Sequence, residues 1–311
     1  MTIKACLKSM RLRTLPLSLS GSVMGIFAAA SVTQISFWPA FTVLLTTVLL
    51  QILSNLSNEL GDTLHGTDTE KREGIHYSLQ DGEMTIAQMK RLIAFTVAAC
   101  CISGLAMIAV CFGTLFAAQP LFFVVLGACA IWAAMHYTLG KDPYGYRGLG
   151  DIFVFIFFGL VSCLGACYIC GHGACWQALL KSSILPACCV GCFSVGVLNV
   201  NNIRDMATDA ATRTTVAIKL GRRRASIYQT ILICLGWALM TARMILAATT
   251  VSSNHGGTPM LRWLFVLTLP LYAKHLHGVW TREGRDMDPL LPLLVISTLL
   301  FSILSGIGFL Q

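Results

Sequence analysis

Two short polar stretches interrupt an otherwise apolar chain, and in each the side chains fall on one face of a helix. In NLSNELGD, residues 55–62, Asn55, Asn58, Glu59 and Asp62 stand at i, i+3, i+4 and i+7, positions that helical geometry stacks on one side. In NVNNIRDMATD, residues 199–209, Asn202, Asp205 and Asp209 repeat the pattern at i, i+3 and i+7. Carboxylates that converge on one cavity repel each other and resist desolvation, so they need a cation there. Oxygen ligands without His or Cys suit Mg2+, which takes one or two protein carboxylates and completes its shell with water and phosphate oxygens. The expected substrate group is therefore a diphosphate. Lys71, Arg72, Arg204 and Arg213 lie in or just beyond the acidic runs, where cations balance the remaining phosphate charge. A solvated charge run would account for either cluster alone; two clusters with matching spacing favour a shared site.

The elements that must position these groups are membrane helices. The chain has 311 residues, 56% of them hydrophobic and 12% charged, with a mean hydropathy of +0.73, too apolar for a soluble domain. No Asp, Glu, Lys or Arg occurs between Arg13 and Glu59, or between Arg91 and Lys141, and each gap holds two helices of about 20 residues, the span of a bilayer core. The pattern predicts an all-α membrane protein with nine transmembrane helices near 14–31, 38–57, 92–113, 119–139, 151–171, 178–198, 226–247, 259–279 and 289–310. They form one polytopic domain over 1–311, with loops at 58–91 and 199–225 carrying the two acidic motifs.

Lys4, Lys8, Arg11 and Arg13 precede the first span. They orient the N-terminus toward the cytoplasm, and eight later spans favour a retained helix over a cleaved signal peptide. Alternation then puts both acidic loops in the cytoplasm and the C-terminus outside, with only Lys181, Arg243 and Arg262 on the outer side. All fourteen carboxylates fall on the cytoplasmic side. The net charge of +8 is a topology signal and an attraction to anionic membrane lipid, and no motif supports a nucleic-acid partner. The thirteen cysteines lie mostly in apolar spans, where a free thiol packs as a small hydrophobe; Cys163, Cys167 and Cys170 have a cluster-like spacing but no soluble domain around them.

Four segments carry a resemblance to a known family: RLRTLP at 11–16, NLSNELGDTLHGTD at 55–68, YTLGKDPYGYRGLGDIFVFIFFG at 137–159, and NNIRDMATD with VAIKLG within 201–221. Together they make the chain similar to the UbiA superfamily of intramembrane prenyltransferases, and within it to the branch that prenylates 1,4-dihydroxy-2-naphthoate in menaquinone synthesis. The resemblance implies a UbiA-type bundle in a bacterial inner membrane and Mg2+ at Asp62, Asp68, Asp205 and Asp209, helped by Asn55, Asn58 and Asn202. The substrates it implies are a polyprenyl diphosphate and 1,4-dihydroxy-2-naphthoate, the naphthoate carboxylate leaving as carbon dioxide. Tyr137, Tyr144 and Tyr146 are placed to shelter an allylic cation or to form an interfacial aromatic belt. Lys141 and Arg147 are candidates for the naphthoate carboxylate or plain inside-positive charge. Asp151 is a candidate to orient the naphthol hydroxyl or to cap a helix start.

The sequence departs from the family pattern where Glu59 replaces an Asp, where GIHY at 74–77 puts Tyr77 in place of an arginine, and where AATRTT after Asp209 leaves Arg213 in place of a lysine. His65 and His76 lack a second histidine at metal spacing and read as loop residues, and His275 and His277 as interfacial ones. Other aromatic acceptors, 4-hydroxybenzoate or homogentisate, remain open. A secondary transporter would place its acids near the bilayer midplane, and here no span has one at its centre.

Overall fold

The computed structural model describes residues 2–66, 77–250 and 259–311, apart from the side chains of 249, 250 and 259. Ten helices organise it: α1 Ile3–Met10, α2 Leu15–Ala30, α3 Phe37–Leu64, α4 Ile86–Phe112 and α5 Ala118–His136. They are followed by α6 Gly150–Cys170, α7 Trp176–Arg204, α8 Arg222–Thr250, α9 Leu269–Thr281 and α10 Leu290–Phe309. No strand occurs among the described residues, only one isolated parallel bridge between Arg147 and Thr214.

Local chemistry sets the helix ends. Thr85 and Gln88 form a reciprocal capping box at the start of α4, and Gly113 closes that helix with φ +66. α1 is a short amphipathic helix capped by Thr2 and stopped by Arg11, whose φ is +49. Within α6, Phe155–Val161 winds as a π-helix. In α7, Pro186 has no N–H to offer the Ser182 carbonyl one turn back, and the Arg243 Nε of α8 donates to that carbonyl instead, at 3.1 Å.

Eight helical segments among the described residues are long and apolar enough to cross a membrane. The expected ninth, 259–279, is helical but broken: a 3-10 stretch Pro259–Thr268 leads into the thirteen-residue α9. The helices also outrun the hydropathy signal at the acidic ends. α3 continues to Leu64 and α7 to Arg204, so the expected loop beginning at residue 58 starts instead after Leu64, and that beginning at 199 starts after Arg204. Backbone hydrogen bonding carries a helix past the point where its side chains turn polar.

α2 packs between α3, α6, α7 and α10. Its Gly21 and Gly25 bring it into backbone contact with α6: a Cβ on Gly25 would sit 2.2 Å from the Cys163 carbonyl oxygen. Small residues at such crossings maximise dispersion where lipid removes the hydrophobic drive. One apolar cluster gathers Met24, Phe193, Phe265, Tyr272 and Phe301 from α2, α7, the 3-10 stretch, α9 and α10. A second joins α3 and α4 through Leu53, Leu56, Leu60, Met89 and Ile93. Large apolar side chains such as Phe95 and Val125 face outward, as lipid-facing helices require. The cysteines are free, with Cys163, Cys167 and Cys170 buried in the packing. His275, expected at the interface, is instead fully buried, because Gln229 at 3.0 Å and the Leu290 carbonyl at 3.2 Å satisfy its two ring nitrogens.

Candidate active site

The ends of α3, α5 and α7 meet at one end of the bundle, and the segments following α5 and α7 are clipped together there. The Thr214 N–H donates to the Tyr146 carbonyl at 2.9 Å. α3 approaches the end of α5 closely at Gly61, where a Cβ would lie 2.4 Å from Thr138 Oγ1; Thr138 donates to the Ser57 carbonyl at 3.0 Å and leans on Asn58 Oδ1 at 3.4 Å.

This closure brings Asp62 of the first motif and Asp209 of the second to one cation. Arg213 hydrogen-bonds Asp209 and lies 3.9 Å from Asp62 Oδ1, with side-chain exposures of 7% for the arginine and 5% for Asp62. Tyr146 donates its hydroxyl to the same Asp62 oxygen at 2.8 Å and lies under the Arg213 guanidinium, 5.8 Å from ring centroid to Cζ. His65 packs edge-on against Tyr146. Burial works against the Arg213 charge, but Asp62 and then Asp209 outweigh it and hold the guanidinium above its ordinary pKa. Burial likewise pushes the Tyr137 phenol up to about 12, with Arg213 opposing and Asp62, Asp151 and Asp209 adding to the shift. Tyr137 therefore stands within the field of both acidic motifs and of Asp151.

The other expected residues divide. Asp205 is buried and paired side by side with Arg204, at 2.7 and 2.8 Å. Arg204 also reaches Asp288 at 3.0 Å, so it ties the end of α7 to the segment before α10. Asn202 is buried near the end of α7, but the expected single face is interrupted: the helix ends at Arg204 and Asp209 lies on a separate short helix, Met206–Asp209. Asn55 turns elsewhere: its amide donates to the Met10 carbonyl at 2.8 Å and to Thr14 Oγ1 at 2.9 Å, fastening the turn before α2. Glu59 accepts from the Leu79 backbone N–H at 2.8 Å and so anchors the chain returning toward α4. Tyr77 accepts from Arg13 at 2.7 Å and lies 3.7 Å beneath the Arg11 guanidinium. Asp68, Lys71 and Arg72 lie outside the described residues.

Tyr144 bonds the Ala133 carbonyl at 2.7 Å and stacks on Phe153 at 3.9 Å, a packing role that its neighbour Tyr146 does not share. Arg147 pairs with Asp142 on the surface, both side chains more than half exposed, and Lys141 is exposed too. Two residues given no role in the sequence reading lie close by. The Lys219 Nζ stands 3.4 Å from the point where a Cβ on Gly148 would sit, and the Tyr228 hydroxyl donates to Asp151 at 3.0 Å. Lys219 belongs to VAIKLG, which carried part of the resemblance; nothing in spacing singles out Tyr228.

Among the described residues no three His, Cys, Asp or Glu side chains are grouped closely enough to chelate a metal on their own. The donors present are all oxygens, and a guanidinium already sits between two carboxylates from different motifs. That arrangement fits a cation which takes few protein ligands and completes its shell from water and a phosphorylated substrate.

Residues 18–297 match the UbiA prenyltransferase family. The chain is 38% identical over 294 residues to 1,4-dihydroxy-2-naphthoate octaprenyltransferase of Escherichia coli K12, covering 92% of this chain and 87% of that one. It is 36% identical to the Haemophilus influenzae protein of the same name, covering 99% and 96%. Among solved structures, a UbiA homologue from Aeropyrum pernix K1 superposes with a TM-score of 0.69 at 17% identity, over 96% of this chain and 97% of that one. A UbiA homologue from Archaeoglobus fulgidus bound to GPP and Mg2+ gives 0.67 at 16% identity, over 98% and 99%.

Proposed function

The chain belongs to the UbiA prenyltransferase family, and from that premise we propose that it transfers a polyprenyl chain from polyprenyl diphosphate to 1,4-dihydroxy-2-naphthoate, giving demethylmenaquinol, the reduced form of demethylmenaquinone, with carbon dioxide and diphosphate. It is an integral membrane protein. Its acidic end faces the cytoplasm of a bacterial inner membrane, an orientation supported by the basic residues before the first span and beside both motifs.

The observation that carries this reading is the junction of Asp62, Arg213 and Asp209. Two carboxylates from separate motifs share one buried cation at one end of an apolar bundle, the arrangement needed to hold a diphosphate while its prenyl tail lies between helices. Asp62 and Asp209, which the junction brings together, with Asp205, Asn58 and Asn202 from the same two motifs, would be the oxygen donors for Mg2+, and Asp68 is a further donor expected from the sequence. When bound, that ion supplies the positive charge that stabilises departing diphosphate. Arg213 is the cation placed to turn from the carboxylates toward phosphate oxygens, while Arg204 holds Asp205 in place; Lys71 and Arg72 are further phosphate partners expected from the sequence. Tyr137 and Tyr146 line the approach to the allylic carbon and shield it from water. Lys219, exposed beside Gly148 and not paired with an acid among the described residues as Arg147 is with Asp142, is a further candidate to meet the naphthoate carboxylate.

In the overall exchange the allylic C–O bond breaks and its electron pair leaves with the diphosphate. The ring carbon bearing the carboxylate forms the new C–C bond. The bond to the carboxylate then breaks, its electron pair restores the aromatic ring, and carbon dioxide departs, so no proton need be removed. The test is an incubation of membranes bearing the protein with a common polyprenyl diphosphate and either 1,4-dihydroxy-2-naphthoate or 4-hydroxybenzoate. Release of diphosphate with formation of demethylmenaquinol, recovered as demethylmenaquinone after oxidation in air, is expected from the naphthoate; exclusive use of 4-hydroxybenzoate would overturn the acceptor.

A further inference from the structure

Next to Gly150, which lies close to the Tyr137 hydroxyl, is a polar pair to which the proposed diphosphate site gives no role. Asp151 opens α6 and is 8% exposed. Tyr228, two turns into α8, donates its hydroxyl to Asp151 Oδ2 at 3.0 Å. Tyr228 packs against an apolar cluster of Cys192 and Val195 of α7 and Leu232 of its own helix, against which Val154 and Phe155 of α6 also pack. Tyr137 connects this pair to the junction. Its hydroxyl stands 3.3 Å from the point where a Cβ on Gly150 would sit, and its phenol feels Asp62, Asp209 and Arg213 as well as Asp151.

A carboxylate has room for about four hydrogen bonds, and in an apolar wall it is a strong acceptor for any hydroxyl brought beside it. Resting on the acceptor proposed above, the chemistry of the ring decides which hydroxyl that is. The 1-hydroxyl is adjacent to the 2-carboxylate and closes an internal hydrogen bond with it. The 4-hydroxyl, across the ring, has no internal partner and needs one from the protein. We propose that Tyr228 is a positioning residue that holds the Asp151 carboxylate to accept the 4-hydroxyl of the acceptor, so that this pair selects a 1,4-dihydroxylated ring. A site built to bond a substrate hydroxyl rejects the analogue that lacks it far more strongly than an apolar wall does. No proton is transferred: the phenol donates, the carboxylate accepts, and the ring is fixed with its carboxylate-bearing carbon toward the allylic centre.

The experiment compares 1,4-dihydroxy-2-naphthoate with 1-hydroxy-2-naphthoate, which keeps the carboxylate and the activating 1-hydroxyl but lacks the 4-hydroxyl. kcat and KM are measured for wild type, Tyr228→Phe and Asp151→Asn at saturating polyprenyl diphosphate. Tyr228→Phe is expected to raise KM for the dihydroxy acceptor about tenfold, with kcat and the KM for polyprenyl diphosphate unchanged, and to alter use of the monohydroxy acceptor by less than about twofold. Asp151→Asn should act in the same sense and by at least as much. Equal losses on the two acceptors in both variants, or a change confined to the KM for polyprenyl diphosphate, would overturn this inference alone. If wild type uses neither naphthoate, the acceptor assignment falls and this inference with it.

Discussion

Replacing Arg213 by methionine tests the cation that joins the two motifs. The methionine keeps much of the side-chain volume and removes the charge. At 3.9 Å, the attraction between Arg213 and Asp62 is about 4 kcal/mol at an effective dielectric of 20, and the Asp209 contact is closer still. Both carboxylates are almost fully buried, so their desolvation is not recovered when the arginine goes. Removing one partner from a buried ionic group costs about 3–5 kcal/mol. In EDTA the variant should therefore unfold at a lower temperature than wild type, by a margin readable in a detergent thermal-shift assay. Added Mg2+ should then restore more stability to the variant than to wild type, because the ion no longer displaces a resident cation. The reasoning fails if Arg213→Met matches wild type in EDTA, or if Mg2+ shifts both proteins by the same amount.

Asp62→Ala and Asp205→Ala should each abolish prenyl transfer while leaving the protein inserted in the membrane, as judged by yield after detergent extraction; full turnover in either variant removes that residue from the site. Gly25→Leu should prevent accumulation of folded protein. Its side chain would drive into the Cys163 carbonyl, an overpacking that α2 has no room to relieve, and a normal size-exclusion profile with wild-type melting would refute that close crossing.

The architecture was legible where composition and period act alone. Charge-free runs located nine helical segments because a bilayer leaves little choice of spanning structure, and the spacing of Asn58 and Asp62 on one face of α3 follows from the 3.6-residue turn. In the second motif the helix ends at Arg204 and only Asn202 lies on it, with Asp209 on a separate short turn, Met206–Asp209. Features set by partners distant in sequence were not legible. His275 beside Lys274 looks interfacial until Gln229 of α8 and the Leu290 carbonyl are seen to enclose it. Asn55 shares a face with Asp62, yet the turn before α2 lies within reach of its amide, one step nearer the middle of α3. Arg147 and Tyr146 are adjacent, yet the tyrosine turns inward to Asp62 while the arginine meets Asp142, a division that rests on Asp62, His65 and the Thr214 clip, all distant in sequence. The hydropathy of 259–279 gives no sign that its first half winds as a 3-10 helix, because the two windings bury similar side chains and differ in backbone bonding.

The bond from Arg243 to the Ser182 carbonyl bears on how the chain is assembled during synthesis. Near the end of the bundle opposite the acidic motifs, a lone α7 would leave a carbonyl that Pro186 has deprived of its donor, and a lone α8 would carry an arginine without that bond; each deficit is costly wherever water is scarce. The two are cancelled only when both helices are present. α7 and α8 are thus suited to leave the insertion machinery as a hairpin rather than one at a time, and a ribosome-stalled chain ending shortly before Arg243 should hold α7 less firmly in the bilayer than one ending after it.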